Sequence, residues 1–148
     1  MNIKKSGANL RYTPEQIENL QPNQIFVFGS NKAGLHIGGA ARIAYEKFGA
    51  EYGNGEGLQG QSYALPTLDE DLQKLSKDEL AKRFLRFLEI VLGNPYLEFL
   101  LTKVGCGIAG YSIEEVRDIF WQTIEKVKAS GRGGKPANLI IPKEFDRD

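Results

Sequence analysis

Ile25-Phe26-Val27-Phe28-Gly29-Ser30-Asn31-Lys32-Ala33-Gly34-Leu35-His36-Ile37-Gly38-Gly39-Ala40-Ala41 is the stretch on which the fold turns. Its first four residues form an apolar run of strand length, without the alternation of a half-exposed strand. That pattern suits a strand covered on both faces. Glycines then punctuate a loop, and small residues open a helix. A strand, a glycine-rich loop and a helix in this order are the opening unit of an α/β domain with a mainly parallel sheet.

Working outward, period and caps predict three helices. The first runs from Gly39 to Phe48, with Ala40, Ile43, Ala44 and Phe48 facing inward and Gly49 as a left-handed terminator. The second runs from Lys77 to Leu92 behind a Ser76–Glu79 capping box, with Leu80, Phe84, Leu88 and Val91 as its buried stripe. The third runs from Ile113 to Ala129 behind a Ser112–Glu115 box, with Val116, Ile119, Phe120, Ile124 and Val127 inward. Pro14 also suits the first position of a short helix starting at Thr13. Besides Ile25–Phe28, strands are expected at Tyr63–Leu65, Phe99–Val104 and Leu139–Ile141, and Ala129 to Asn138 reads as a surface loop.

The chain has 148 residues, 41% hydrophobic and 26% charged, which suits one soluble domain over residues 1–148. Nineteen basic residues balance nineteen acidic ones, so no general nucleic-acid or anionic-membrane binding is expected. A single cysteine, Cys106, and a single histidine, His36, exclude an intrachain disulfide and a Cys- or His-rich metal cage. Nothing calls for a cofactor or resident metal. Met1 to Thr13 lacks the apolar core of a secretory signal, and no stretch is long enough to span a bilayer. A cytoplasmic protein is expected, and the sequence leaves its oligomeric state open.

Ligands of open α/β sheets collect beyond the carboxyl ends of the strands. Two glycine-rich stretches are expected at that edge: Gly29 to Gly39, and Gly105-Cys106-Gly107-Ile108-Ala109-Gly110-Tyr111 before the Ser112-capped helix. Glycine lets the backbone turn sharply and bring N–H groups against a ligand. At a helix start those groups have no partner within the helix, and the dipole favours an anion. Charge-assisted hydrogen bonds contribute roughly 1.5–3 kcal/mol each. Three or four would supply most of a micromolar affinity, about −8 kcal/mol. A diphosphate between the loops fits this chemistry; close helix–sheet packing is the plainer explanation of the same glycines. Gly105, Gly107 and Gly110 also spell the dinucleotide fingerprint G-x-G-x-x-G. However, the helix starts after the third glycine, and the acidic residue expected about 20 positions on is replaced by Ala129-Ser130.

Phe28-Gly29-Ser30-Asn31, Gly38-Gly39-Ala40-Ala41 and Gly105 to Tyr111 resemble, in order and spacing, the N-A-A-N, G-G-G-V-A and S-T-G-I-x-G-Y loops of macro domains. Gly55-Glu56 sits where many of that family carry a Gly-Glu pair. The resemblance covers roughly Thr13 to Phe145, is close only at the loops, and points to a divergent branch of the kind found in bacteria and phages. It implies a three-layer α/β/α fold that binds ADP-ribose or related nucleotides, free or on an ADP-ribosylated macromolecule, and in some members hydrolyses the ADP-ribosyl linkage. Carried over, it implies that Gly29, Ser30 and Asn31 approach the ligand, with Asn31 on the distal ribose. Gly38, Gly39 and Ala40 would wrap that ribose and its phosphate. Gly105, Cys106, Gly107, Ile108, Ala109 and Gly110 would cradle the diphosphate, Tyr111 would close over it, and Phe145 would stack on the adenine. The family's early aspartate has no match near Arg11-Tyr12-Thr13, and Asn54 to Asp71 is peculiar to this chain.

Candidate catalytic groups are few. Asn31 either orients an attacking water, as the resemblance implies, or caps a turn. His36 has the unperturbed pKa for proton transfer at neutral pH, or is a plain surface residue. Cys106, near a helix start, is either a thiol with a lowered pKa or a small apolar filler. Asp69-Glu70-Asp71 reads as a solvated turn rather than a metal site. Three functions remain open: a binding module for ADP-ribose or a related nucleotide, an ADP-ribosyl hydrolase using Asn31 and His36, and a structural or interaction protein that keeps the fold without the ligand.

Overall fold

A computed structural model describes residues 10–147; residues 1–9, most of the segment read as lacking a signal, and Asp148 lie outside it. The chain is α/β, and the described residues form a five-stranded mixed sheet and three α-helices. In chain order these are β1 (Gln24–Asn31), α1 (Gly39–Lys47), β2 (Gly57–Gln59), β3 (Ser62–Leu68), α2 (Lys77–Gly93), β4 (Glu98–Leu101), α3 (Ile113–Ala129) and β5 (Leu139–Ile140), followed by a 3-10 turn over Lys143–Phe145. The strand order is β2-β3-β1-β4-β5. All pairings are parallel except β2 with β3. The outer strands are only three and two residues long.

Alternation along β1 divides the core. Ile25 and Val27 join Tyr63, Leu65, Phe99 and Leu101 under α2 and α3, while Phe26 and Phe28 join Ala64 and the inner residues of α1. Period-2 side-chain alternation produces this split. All five expected inner residues of α3 are buried, and Phe87 joins the four of α2. The inner face of α1 differs from expectation. Ala41, Ala44 and Phe48 are buried, whereas Ile43 is 42% exposed. Two alanines let the backbone of α1 lie close to the sheet, and that rotation leaves the larger isoleucine outside.

The caps behave as physics requires, with one change. Ser112 and Glu115 form the full reciprocal box. At α2 only half of it forms: Ser76 accepts from the Glu79 N–H, while the Glu79 carboxylate pairs with Lys32 Nζ at 3.0 Å. That bond ties α2 to the loop after β1. No helix starts at Thr13. Its N–H donates to the Ile141 carbonyl at 2.8 Å and its hydroxyl to the Ile140 carbonyl, which ties the segment to the end of β5. β2, unforeseen, is a three-residue strand containing a glycine. No helix among the described residues is long and apolar enough to cross a membrane.

Candidate functional site

The parallel strands β1, β3 and β4 end at one edge, and their following segments enclose a cavity of about 320 Å³. That volume lies at the lower end of small-molecule sites, roughly 300–1,000 Å³. Both glycine-rich stretches line it: Gly29, Ser30, Asn31, Gly38, Gly39 and Ala40 from the first, and Gly107, Ile108 and Ala109 from the second. The two loops are in contact at their roots. A Cβ on Gly29 would stand 3.3 Å from the Gly105 nitrogen, tighter than ordinary packing. The cavity lies between them, and across it the Ile108 side chain of the second loop comes within 3.9 Å of where a Cβ on Gly38 would stand.

The start of α1 forms one part of the wall. Arg42 N–H makes the first turn bond, to the Gly38 carbonyl at 3.3 Å, so the N–H groups of Gly39, Ala40 and Ala41 precede the helical ladder. Gly38 provides no side-chain cap and the first turn carries no acid, in contrast with α2 and α3, which have both a serine cap and two acids. Opposite, among the described residues none accepts a hydrogen bond from the N–H groups of Gly107, Ile108 or Ala109. The second loop is a tight turn in its own right: Gly110 N–H bonds the Gly107 carbonyl and Tyr111 N–H the Gly105 carbonyl, with Gly105 at φ 78. Two sets of main-chain donors thus border one space. Lys103 adds a cation at the rim. It is paired with Glu15 at 2.9 Å and with Glu144 at 3.7 Å, and the hydrogen bond to Glu15 raises its pKa.

Residues 51–57 brace the first loop from behind and contribute nothing to the cavity lining. Ser30 Oγ donates to the Gly55 carbonyl, Gly53 N–H to the Gly34 carbonyl at 2.9 Å, and His36 Nε2 meets the Asn54 carbonyl at 3.1 Å. The brace is packed to contact. A Cβ on Gly55 would lie 2.3 Å from the Asn31 carbonyl oxygen, and one on Gly34 2.3 Å from the Gly53 carbonyl carbon.

The candidate catalytic residues are held by this scaffold. Asn31 lines the cavity, but both ends of its amide serve Leu35: Oδ1 accepts the Leu35 N–H at 2.9 Å and Nδ2 donates to the Leu35 carbonyl at 3.0 Å. It is a turn-capping residue. His36 is not on the surface. It is 2% exposed, stands edge-on to Phe28, and is not among the residues lining the cavity. Because Nε2 faces a carbonyl it is the donor of that contact, and among the described residues Nδ1 is buried without a partner.

Three further expectations change. Tyr111 does not close over the cavity. Its ring is buried in the core, where the hydroxyl donates to the Leu75 carbonyl and Lys74 sits over the ring face. Phe145 is fully buried against α3, and its carbonyl accepts the Trp121 indole N–H at 2.6 Å, so it has no free face for a base. Cys106 faces a shallow depression behind the loop with Tyr111 and Ser112, and burial raises its thiol pKa where proximity to a helix start suggested the reverse. Gly105 and Gly110 shape the second loop without lining the cavity. Sequence reasoning missed Leu35, Ile37, Ala41, Thr67, Leu68, Leu72, Thr102, Lys103 and Val104 as lining residues. Thr67 and Thr102 were detectable in principle, since each lies at or just beyond the carboxyl end of a parallel strand; Leu72 has no such signal.

No family model, no curated protein and no solved structure matches the chain.

Proposed function

We propose that the chain binds ADP-ribose or a related diphosphate-containing nucleotide in the cavity between its two glycine-rich loops. In this reading the fold is a three-layer, macro-domain-like α/β/α sandwich. The chain works in the cytosol on a small nucleotide or on an ADP-ribosylated macromolecule. One observation carries the reading: the uncapped, acid-free start of α1 and the unpaired N–H groups of Gly107 to Ala109 border the same open space. Donors without protein partners at a helix start favour an anion through hydrogen bonds and the helix dipole together. Binding is favoured over hydrolysis, because the Asn31 amide is engaged at both ends and His36 lies outside the cavity lining.

Gly38→Asp tests the reading. Gly38 is the N-cap of α1 in extended conformation, φ −156, and its Cβ would meet only Ile108, at 3.9 Å. Aspartate is a preferred N-cap, so the variant folds at least as well as the parent while placing its own carboxylate on the donors. ADP-ribose should raise the melting temperature of the parent and not that of the variant. No shift for the parent, or an equal shift for both, refutes the proposal.

A further inference from the structure

Around the mouth of the cavity stand three aliphatic side chains that the core does not use. Ile37 is 66% exposed, Ile108 85% and Leu72 45%, and all three line the cavity. Leu72 is the most unusual. Among the described residues it is the one non-glycine residue at positive φ, 62°. A Cβ in the left-handed region crowds the backbone; glycine has none, and asparagine offsets the crowding through local hydrogen bonds of its short polar side chain. The surrounding turn fixes it there. Asp69 Oδ1 accepts the N–H groups of Asp71 and Gln73, Leu72 N–H donates to the Asp69 carbonyl at 3.1 Å, and Asp69 N–H to the Gln73 carbonyl. Leu72 therefore combines an unfavourable backbone conformation, held by the hydrogen bonds of the turn, with an apolar side chain that is only partly covered. Unfavourable backbone held by its surroundings at a cavity is a recurrent mark of a ligand contact.

We propose that Leu72, with Ile37 and Ile108, forms an apolar collar that grips the nucleoside end of the ligand and so favours a nucleotide over a bare anion. This rests on the nucleotide reading above. The floor of the cavity supplies main-chain donors, which suit an anion. The rim supplies aliphatic surface, which suits the flat faces of a sugar and a base. A ligand with both parts uses the whole site, and a bare anion uses only the floor. Leu72 comes from the turn between β3 and α2, so the collar joins a third segment to the two loops.

The experiment measures melting temperature and affinity for ADP-ribose and for inorganic pyrophosphate in the parent, Leu72→Gly and Leu72→Asn. Both variants tolerate the left-handed backbone and should melt at or above the parent. Loss of one buried leucine contact should weaken ADP-ribose about tenfold, with pyrophosphate affinity unchanged. Unchanged ADP-ribose affinity in both variants overturns the collar. So does a lowered melting temperature accompanied by equal weakening of both ligands, which marks Leu72 as structural. If the parent binds neither ligand, the nucleotide reading itself falls and the collar falls with it.

Discussion

Replacing Gly55 by alanine tests the brace behind the first loop. Gly55 is buried at an ordinary φ, so the added methyl meets a purely steric obstacle. It would lie 2.3 Å from the Asn31 oxygen, 2.7 Å from the Lys32 oxygen and 2.8 Å from the Lys32 carbonyl carbon. These are backbone atoms at the end of β1 and cannot swing aside as a side chain does. Overpacking of this kind costs about 1–3 kcal/mol. If the chain relieves the clash by moving residues 53–55 away, the Ser30 hydroxyl loses the Gly55 carbonyl. A buried polar group left without its partner costs about 1–3 kcal/mol. Either route destabilises the protein by about 1–3 kcal/mol. At roughly 2–4 °C per kcal/mol for a chain of this size, the melting temperature should fall by about 2–12 °C. Gly93→Ala is the control. Gly93 ends α2, has nothing within 4 Å of its would-be Cβ, and should gain roughly 0.4–1 kcal/mol. Thermal unfolding followed by circular dichroism reads both. A Gly55→Ala variant that melts within a degree of the parent refutes the brace.

Tyr111→Phe removes the donor to the Leu75 carbonyl inside the core, and urea denaturation should show a loss of about 1–3 kcal/mol; an unchanged midpoint would return Tyr111 to the surface role expected of it. Cys106, with its thiol pKa raised by burial, should be alkylated by iodoacetamide more slowly than a cysteine in an unstructured peptide at mildly alkaline pH, and a faster rate would revive it as an activated nucleophile. The pKa of Glu115 is held down, chiefly by the Ser112 backbone N–H and then by Lys77. A depressed folded-state pKa means stability that is present above the ordinary carboxylate range and lost as pH falls through the folded value. In Glu115→Gln the acid limb of the stability–pH curve should be shallower; an identical limb argues against the contribution.

The helices were the legible part of the fold because their signals are local. Ser112 and Glu115 lie three residues apart, and Gly49, at φ 81, ends α1 by a property of one residue. β2 was not legible, since Gly57-Leu58-Gln59 has neither length nor apolar run, and it is a strand only because β3 pairs with it. The Thr13 helix failed for the converse reason: Pro14 gives a real local signal, but the Thr13 bonds to Ile140 and Ile141 prevail over it. At the site, the two loops could be found from their glycines, and the structure brings them to one cavity. The settings of Asn31 and His36 could not. His36 is buried because Asn54, 18 residues away, offers a carbonyl, and no local pattern announces a contact made by a neighbouring loop. Tyr111 and Phe145 misled because an aromatic near glycines or after a last strand looks the same in sequence whether it covers a ligand or fills the interior.

The shortness of the two outer strands carries a consequence for how copies of this chain meet. A passing polypeptide can extend a sheet only by hydrogen-bonding along an unpaired border. Here those borders are three residues at one side and two at the other. Among the described residues, outer strands this short offer little ladder for a second copy to extend, which disfavours edge-to-edge stacking.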